Sequence, residues 1–192
     1  MLSVKPMFLL VLLFLSSIQY IAAQTTFSNI APNLNLTHIC QGEEMGGGGA
    51  FLDINSDGWL DIYVTGEYGP DVLYQNNGDG TFTDISMSAG ILFTDSLHTM
   101  GVAAGDIDND GFPEIFVSTT EGSQSILFKN NGNSTFTNIA TQAGILDTMW
   151  SYSATFGDYN KDGFLDLYVG SYVDSLGFIL DSMQNTVGVN HK

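Results

Sequence analysis

The segment DINSDGWLDIYV begins at Asp53, DIDNDGFPEIFV at Asp106 and DYNKDGFLDLYV at Asp158, 53 and 52 residues apart. No other feature restricts the fold as strongly. A chain that repeats at a fixed period builds one supersecondary unit over and over and buries its core between neighbouring copies. A second element keeps the same step: NNGDGTFTDIS from Asn76 against NNGNSTFTNIA from Asn130. So does Ala89-Gly90-Ile91 against Ala143-Gly144-Ile145. TTFSNIA (25–31) matches the end of that second element, so the repeat frame extends back to the start of the mature chain.

Each unit reads as short strands divided by turns. In the first, Gly49–Leu52 enters the acidic loop and Asp61–Thr65 leaves it, rich in the β-branched and aromatic residues that suit a pleated surface. Asp71–Gln75 and Thr81–Ile85 flank an Asn/Asp/Gly turn, the signature of a hairpin. Nothing in the unit has a helical period. Four strands in about 50 residues predict an all-β fold of β-propeller blades, each of four antiparallel strands, over 24–192. A β-solenoid would use shorter coils, roughly 20–30 residues each. Propeller rings hold about four to eight blades, whereas this chain carries about three, so it is expected to be a fragment or to close its ring with other copies. Residues 173–192 lack the NNG element that the third unit should carry, which favours the fragment.

The loops at 53–61, 106–114 and 158–166 place side-chain oxygens at positions 1, 3, 5 and 9. These are Asp53, Asn55, Asp57 and Asp61; Asp106, Asp108, Asp110 and Glu114; and Asp158, Asn160, Asp162 and Asp166. Glycine at position 6 permits a tight turn that aims them at one centre. The carbonyls of Trp59, Phe112 and Phe164 at position 7 would complete the shell. Hard oxygen donors in a flexible cage suit Ca²⁺, whereas Mg²⁺ holds a tighter octahedron and keeps its waters. The formal ligand charges of −3, −4 and −3 take up ten of the chain's 21 acids. Crowded carboxylates repel, and about three bound Ca²⁺ ions would reverse that. An EF-hand would need a bidentate Glu at position 12 and flanking helices; position 12 here is Val64, Val117 and Val169, followed by strand-like sequence. Asp, Asn and Gly also dominate ordinary turns, but three copies in register, each with an acid at position 9, favour a cation site.

The net charge of −17, with four lysines and no arginine, argues against nucleic-acid binding. Lys5, the apolar run 7–15 and Ile21-Ala22-Ala23 predict a secretory signal peptide over 1–23, cleaved before Gln24. The run is about half the ~20 residues a membrane span needs, and no later stretch could cross a bilayer. Cys40 is the sole cysteine, so no disulfide staples the chain to itself. Asn35 and Asn133 begin N-x-[ST] sequons.

These residues resemble FG-GAP/VCBS repeats, the units of integrin α-chain propellers. MGGGGAFLDINSDGWLDIYV (45–64), HTMGVAAGDIDNDGFPEIFV (98–117), YSATFGDYNKDGFLDLYV (152–169) and NNGDGTFTD (76–84) are especially similar to the cartilage acidic protein (ASPIC/UnbV) group. The resemblance covers 25–172. It implies a seven-bladed propeller with Ca²⁺ in loops at the blade edges, in a secreted or cell-surface protein. Phe-Gly precedes only the third loop, as Phe156-Gly157, and Glu114 stands where Asp is usual.

No catalytic constellation emerges. G-x-S-x-G is absent, and His38, His98 and His191 have no metal-ligand spacing. His98 reads as a packing or rim residue. Gly46–Gly49 lacks the ending of a phosphate loop and reads as a close backbone approach near a ring axis. Glu43 and Glu44 read as a solvated pair or as lining of the axial face. The aromatics at position 7 and those at position 11 (Tyr63, Phe116, Tyr168) read as packing between blades. The leading expectation is a Ca²⁺-stabilised scaffold that binds an extracellular protein or glycan. The alternatives are a propeller belonging to a secreted enzyme and a structural matrix protein with further repeats.

Overall fold

The computed structural model describes residues 28–38, 47–120, 122–146 and 148–171. The predicted signal peptide, Cys40, Glu43, Glu44, Gly46 and His191 lie outside the described residues.

The first unit folds as β1 (Gly49–Leu52), β2 (Asp61–Val64), β3 (Val72–Asn76) and β4 (Phe82–Asp84), one antiparallel sheet in that order. A single helical turn, α1 (Ser86–Ala89), follows. The second unit repeats it as β5 (Thr99–Gly105), β6 (Glu114–Thr119), β7 (Ile126–Asn130) and β8 (Phe136–Asn138). The described part of the third pairs β9 (Ser151–Gly157) with β10 (Asp166–Ser171). The expectation of all-β, four-stranded blades therefore holds for both complete units. The third strand starts at Val72 and not Asp71, because the Asp71 backbone N–H donates to Thr94 Oγ1 (3.0 Å); its buried carboxylate accepts from Tyr63 Oη (2.6 Å), Thr99 Oγ1 (2.5 Å) and Gly66 N (2.8 Å).

Period-two alternation gives each sheet two faces, and the cores lie between sheets. Tyr63 and Leu73 of the first blade meet Ile115, Val117 and Phe128 of the second, with Ala89 and Ile91 closing the gap. Phe116 and Leu127, on the opposite face of the second blade, meet Leu167 and Val169 of the third. The sheets fan out from their first strands. A Cβ on Gly48 would lie 2.6 Å from the Met100 carbonyl oxygen, and one on Gly101 would lie 2.5 Å from that of Tyr152. Glycine at these two equivalent positions lets β1 approach β5, and β5 approach β9, at backbone distance. The close backbone approach expected of the glycine run is made at Gly48.

The N-terminal stretch is also a repeat element. The 3-10 turn Ala31–Leu34 ends at Asn35 in the left-handed region (φ 62°), as α1 ends at Gly90 (φ 81°). Thr37 N donates to Tyr74 Oη, and Ala31 and Leu36 line a shallow cavity with Ile62, Val64 and Tyr74 on the first blade's outer face.

The aromatic expectation needs correction. At position 11, Tyr63 and Phe116 are core; Tyr168 holds the same place on the third blade, the last described, on the face turned away from the second. Trp59 at position 7 is 53% exposed and does not pack between blades. Position 7 precedes the strand, so strand alternation does not govern it. Trp59 instead lies on the β3–β4 turn, where a Cβ on Gly78 would sit 3.0 Å from its Nε1; Phe112 lies on Gly132 in the same way. Among the described residues no helix is long and apolar enough to cross a membrane.

Candidate metal centres

Each acidic loop joins the first and second strands of a blade, so all three lie at the same end of the sheets. Their internal bonding repeats. Asp53 accepts from the N–H groups of Asp57 (3.1 Å) and Gly58 (2.8 Å), Asp106 from Asp110 (3.1 Å) and Gly111 (2.9 Å), and Asp158 from Asp162 (3.1 Å) and Gly163 (3.0 Å). Asp57, Asp110 and Asp162 then accept from the N–H of position 7 at 2.8–2.9 Å. These bonds require left-handed backbone twice: at the position-6 glycines (φ 87–91°) and also at Ser56, Asn109 and Lys161 in position 4 (φ 57–64°). The position-4 requirement was not anticipated, and three different residues there hide it.

Position 9 is the buried end of each loop. Asp61 and Glu114 are 0% exposed and Asp166 is buried. Asp61 accepts from Ile54 N (2.9 Å) and from Asn76 N (2.7 Å) at the end of β3; Glu114 accepts from Ile107 N (3.0 Å) and Asn130 N (3.3 Å); Asp166 accepts from Tyr159 N (3.0 Å). The longer Glu114 side chain thus makes the same two bonds as Asp61. Burial raises the pKa of Asp61, against those N–H bonds, and pushes Glu114 up to about 7.

Positions 3 and 5 converge through a donor. Asn55 Nδ2 donates to Asp57 Oδ2 (2.9 Å), and Asn160 Nδ2 to Asp162 Oδ2 (3.0 Å). In the second loop position 3 is Asp108, which has no donor. There the Lys129 ammonium, from β7, pairs with Asp108 and lies 3.6 Å from Asp110. One oxygen each of Asp106, Asp108 and Glu114 gather within 4.8 Å of one another. An all-oxygen donor set, converging on one point and needing positive charge between its members, fits a hard divalent cation.

Adjacent loops are linked. Ser56 Oγ donates to the Gly111 carbonyl (3.0 Å) and Asn109 Nδ2 to that of Gly163 (3.0 Å), so position 4 of one loop reaches position 6 of the next. Buried Asn130 donates from the second blade to the Ile54 carbonyl (2.9 Å) in the first loop.

Fold and loops together define a repeat protein of antiparallel blades, each carrying an acidic oxygen-donor loop between its first two strands. Residues 53–117 and 114–169 match the FG-GAP-like repeat, and the chain belongs to that family. It is 36% identical over 119 residues to cartilage acidic protein 1 of Xenopus tropicalis, covering 60% of this chain and 17% of that protein. It is 30% identical over 163 residues to integrin alpha-6 of Gallus gallus, covering 74% of this chain and 15% of that protein. Integrin alpha-7 of Rattus norvegicus is 30% identical over 143 residues, covering 66% and 12%. The chain therefore spans less than a fifth of the length of these relatives.

Proposed function

We propose that residues 24–192 form part of an extracellular, calcium-binding β-propeller, secreted or held at the cell surface, that serves as an adhesion-type scaffold for a protein or glycan. The observation that carries this reading is the threefold recurrence of one oxygen-donor loop, with the same hydrogen bonds, at one end of successive blades. Asp53, Asn55, Asp57, Asp61 and the Trp59 carbonyl would hold the first ion. Their counterparts at 106–114 and 158–166 would hold the second and third. When bound, Ca²⁺ neutralises the carboxylates and ties loop to strand.

The hydrogen bonds around these side chains support the reading. Position 1 holds the turn, position 5 is aimed by the N–H of position 7, and position 9 anchors the loop to the sheet. Extracellular Ca²⁺ modules bind with Kd of roughly 10⁻⁴–10⁻³ M. At about 1 mM free Ca²⁺ and the tighter of those values, each site adds about 1.4 kcal/mol, and three add about 4 kcal/mol. That magnitude makes the ion structural rather than a switch. The opposite end of the sheets, free of the acidic loops, exposes Tyr68, Phe93, Leu146 and Trp150 in the connections between strands and between blades. Exposed aromatic and apolar side chains there suit partner contact.

The test is calcium stoichiometry by equilibrium binding, with thermal melts in millimolar Ca²⁺ and in chelator. Asp57→Ala, Asp110→Ala and Asp162→Ala should each lose one ion and retain the other two. Unchanged stoichiometry in all three would refute the ligand assignment.

A further inference from the structure

We infer that Lys129 is a built-in counter-cation of the second acidic loop, which holds that loop together without metal and competes with calcium for its carboxylates. This rests on the calcium reading above. The first observation is placement: in a chain with 21 acids and only four lysines, the Lys129 ammonium sits against Asp108 and within 3.6 Å of Asp110, the position-3 and position-5 candidates of one site.

The second observation is the comparison between repeats. Loops one and three have Asn at position 3, whose own amide bridges to position 5. Loop two has Asp there, and no bridge of its own. Of the two NNG elements, the second is preceded by a charged residue, Lys129, where the first has Gln75. The lysine thus supplies the donor that Asp108 lacks. It also offsets one of the second loop's four formal negative charges and leaves −3, as in the first loop; the third, with Lys161 at position 4, carries −2.

The consequence for a metal follows from Coulomb's law. A dication entering among Asp106, Asp108 and Glu114 would face an ammonium that is bonded to one of the same carboxylates. A unit charge about 5 Å from a dication, in a water-like dielectric, weakens binding by roughly tenfold. Lys129 is partly exposed, so it swings aside when calcium enters and its charge remains nearby.

The glycine amides at position 6 report each site separately, since each donates to the position-1 carboxylate of its own loop. Calcium is titrated into isotopically labelled wild-type, Lys129→Gln and Lys129→Arg protein, following Gly58, Gly111 and Gly163 by NMR. Lys129→Gln should lower the Gly111 midpoint by roughly tenfold and leave Gly58 and Gly163 in place, and Lys129→Arg should keep the wild-type midpoint. In chelator, Lys129→Gln should melt below wild type, the opposite sign to its effect on affinity. An unchanged Gly111 midpoint in Lys129→Gln, with calcium bound, would overturn this inference alone. Calcium moving none of the three amides in any chain would overturn both the inference and the calcium reading.

Discussion

Glu114 makes a prediction whose sign reverses with pH and again with calcium. Its carboxylate is 0% exposed, and burial pushes its pKa from the ordinary 4.5 to about 7, against N–H bonds from Ile107 and Asn130. The folded protein therefore holds the Glu114 proton more tightly than the unfolded chain does. In the absence of metal, this residue costs nothing below pH ~4.5, costs progressively more as pH rises, and reaches its full cost above pH ~7. The difference in proton affinity is a few hundredfold, or about 3 kcal/mol. Glu114→Gln removes the charge and keeps the shape, but its NH₂ faces one of the two N–H donors, a loss of about 1 kcal/mol. In chelator at about pH 8 the variant should be more stable by about 2 kcal/mol, a rise of roughly 5 °C in Tm; at about pH 5 it should be slightly less stable than wild type. Thermal melts at constant ionic strength across that range measure the difference. On the proposed calcium reading a bound ion would favour the carboxylate, so in millimolar Ca²⁺ the variant should be destabilised at both pH values. A difference between the two proteins that stays flat with pH in chelator would refute the burial argument.

Two further perturbations probe features outside the ligand set. Asn109→Ala removes the bond to the Gly163 carbonyl and puts alanine at φ 58°; it should cost about 1–2 kcal/mol, and Asn109→Gly, which tolerates that backbone, should cost less. Equal melts for Asn109→Ala and wild type would mean that the link between loops carries no stability. Glu67, between β2 and β3, is fully buried at φ 59°, and neither carboxylate oxygen has a hydrogen-bond partner among the described residues. Glu67→Gly relieves both penalties and should raise stability by about 1 kcal/mol; a lower Tm would show that the side chain's packing outweighs them.

What the sequence discloses depends on how far apart the interacting residues lie. The repeat period, the strands around each NNG turn and the position-6 glycines are local requirements, and each was legible as residue type at fixed spacing. The partners of position 4 are 55 and 54 residues away, and Lys129 lies 21 residues from Asp108; no local pattern marks such pairs. Only the contrast between repeats signals the lysine, where Asp108 replaces Asn and Lys129 replaces Gln75. Trp59 was misread because an aromatic recurring at one position was taken as buried between blades, whereas position 7 lies in a loop whose backbone is left-handed at positions 4 and 6.

Position 9 explains why acids are crowded directly before an apolar strand. Asp61, Glu114 and Asp166 are each the last candidate ligand of a loop and the first residue of β2, β6 and β10. The Asp61 carboxylate spans the structure from the loop N–H of Ile54 to the strand N–H of Asn76, and Glu114 does the same from Ile107 to Asn130. A buried carboxylate is costly, and a cation alongside offsets that cost only once the loop has closed. Loop closure in turn needs the second strand paired with the third, because that pairing brings Asn76 or Asn130 within reach. Under the proposed calcium reading, sheet formation and cation binding would share one group per blade, and bound calcium would stabilise the whole sheet rather than a surface loop.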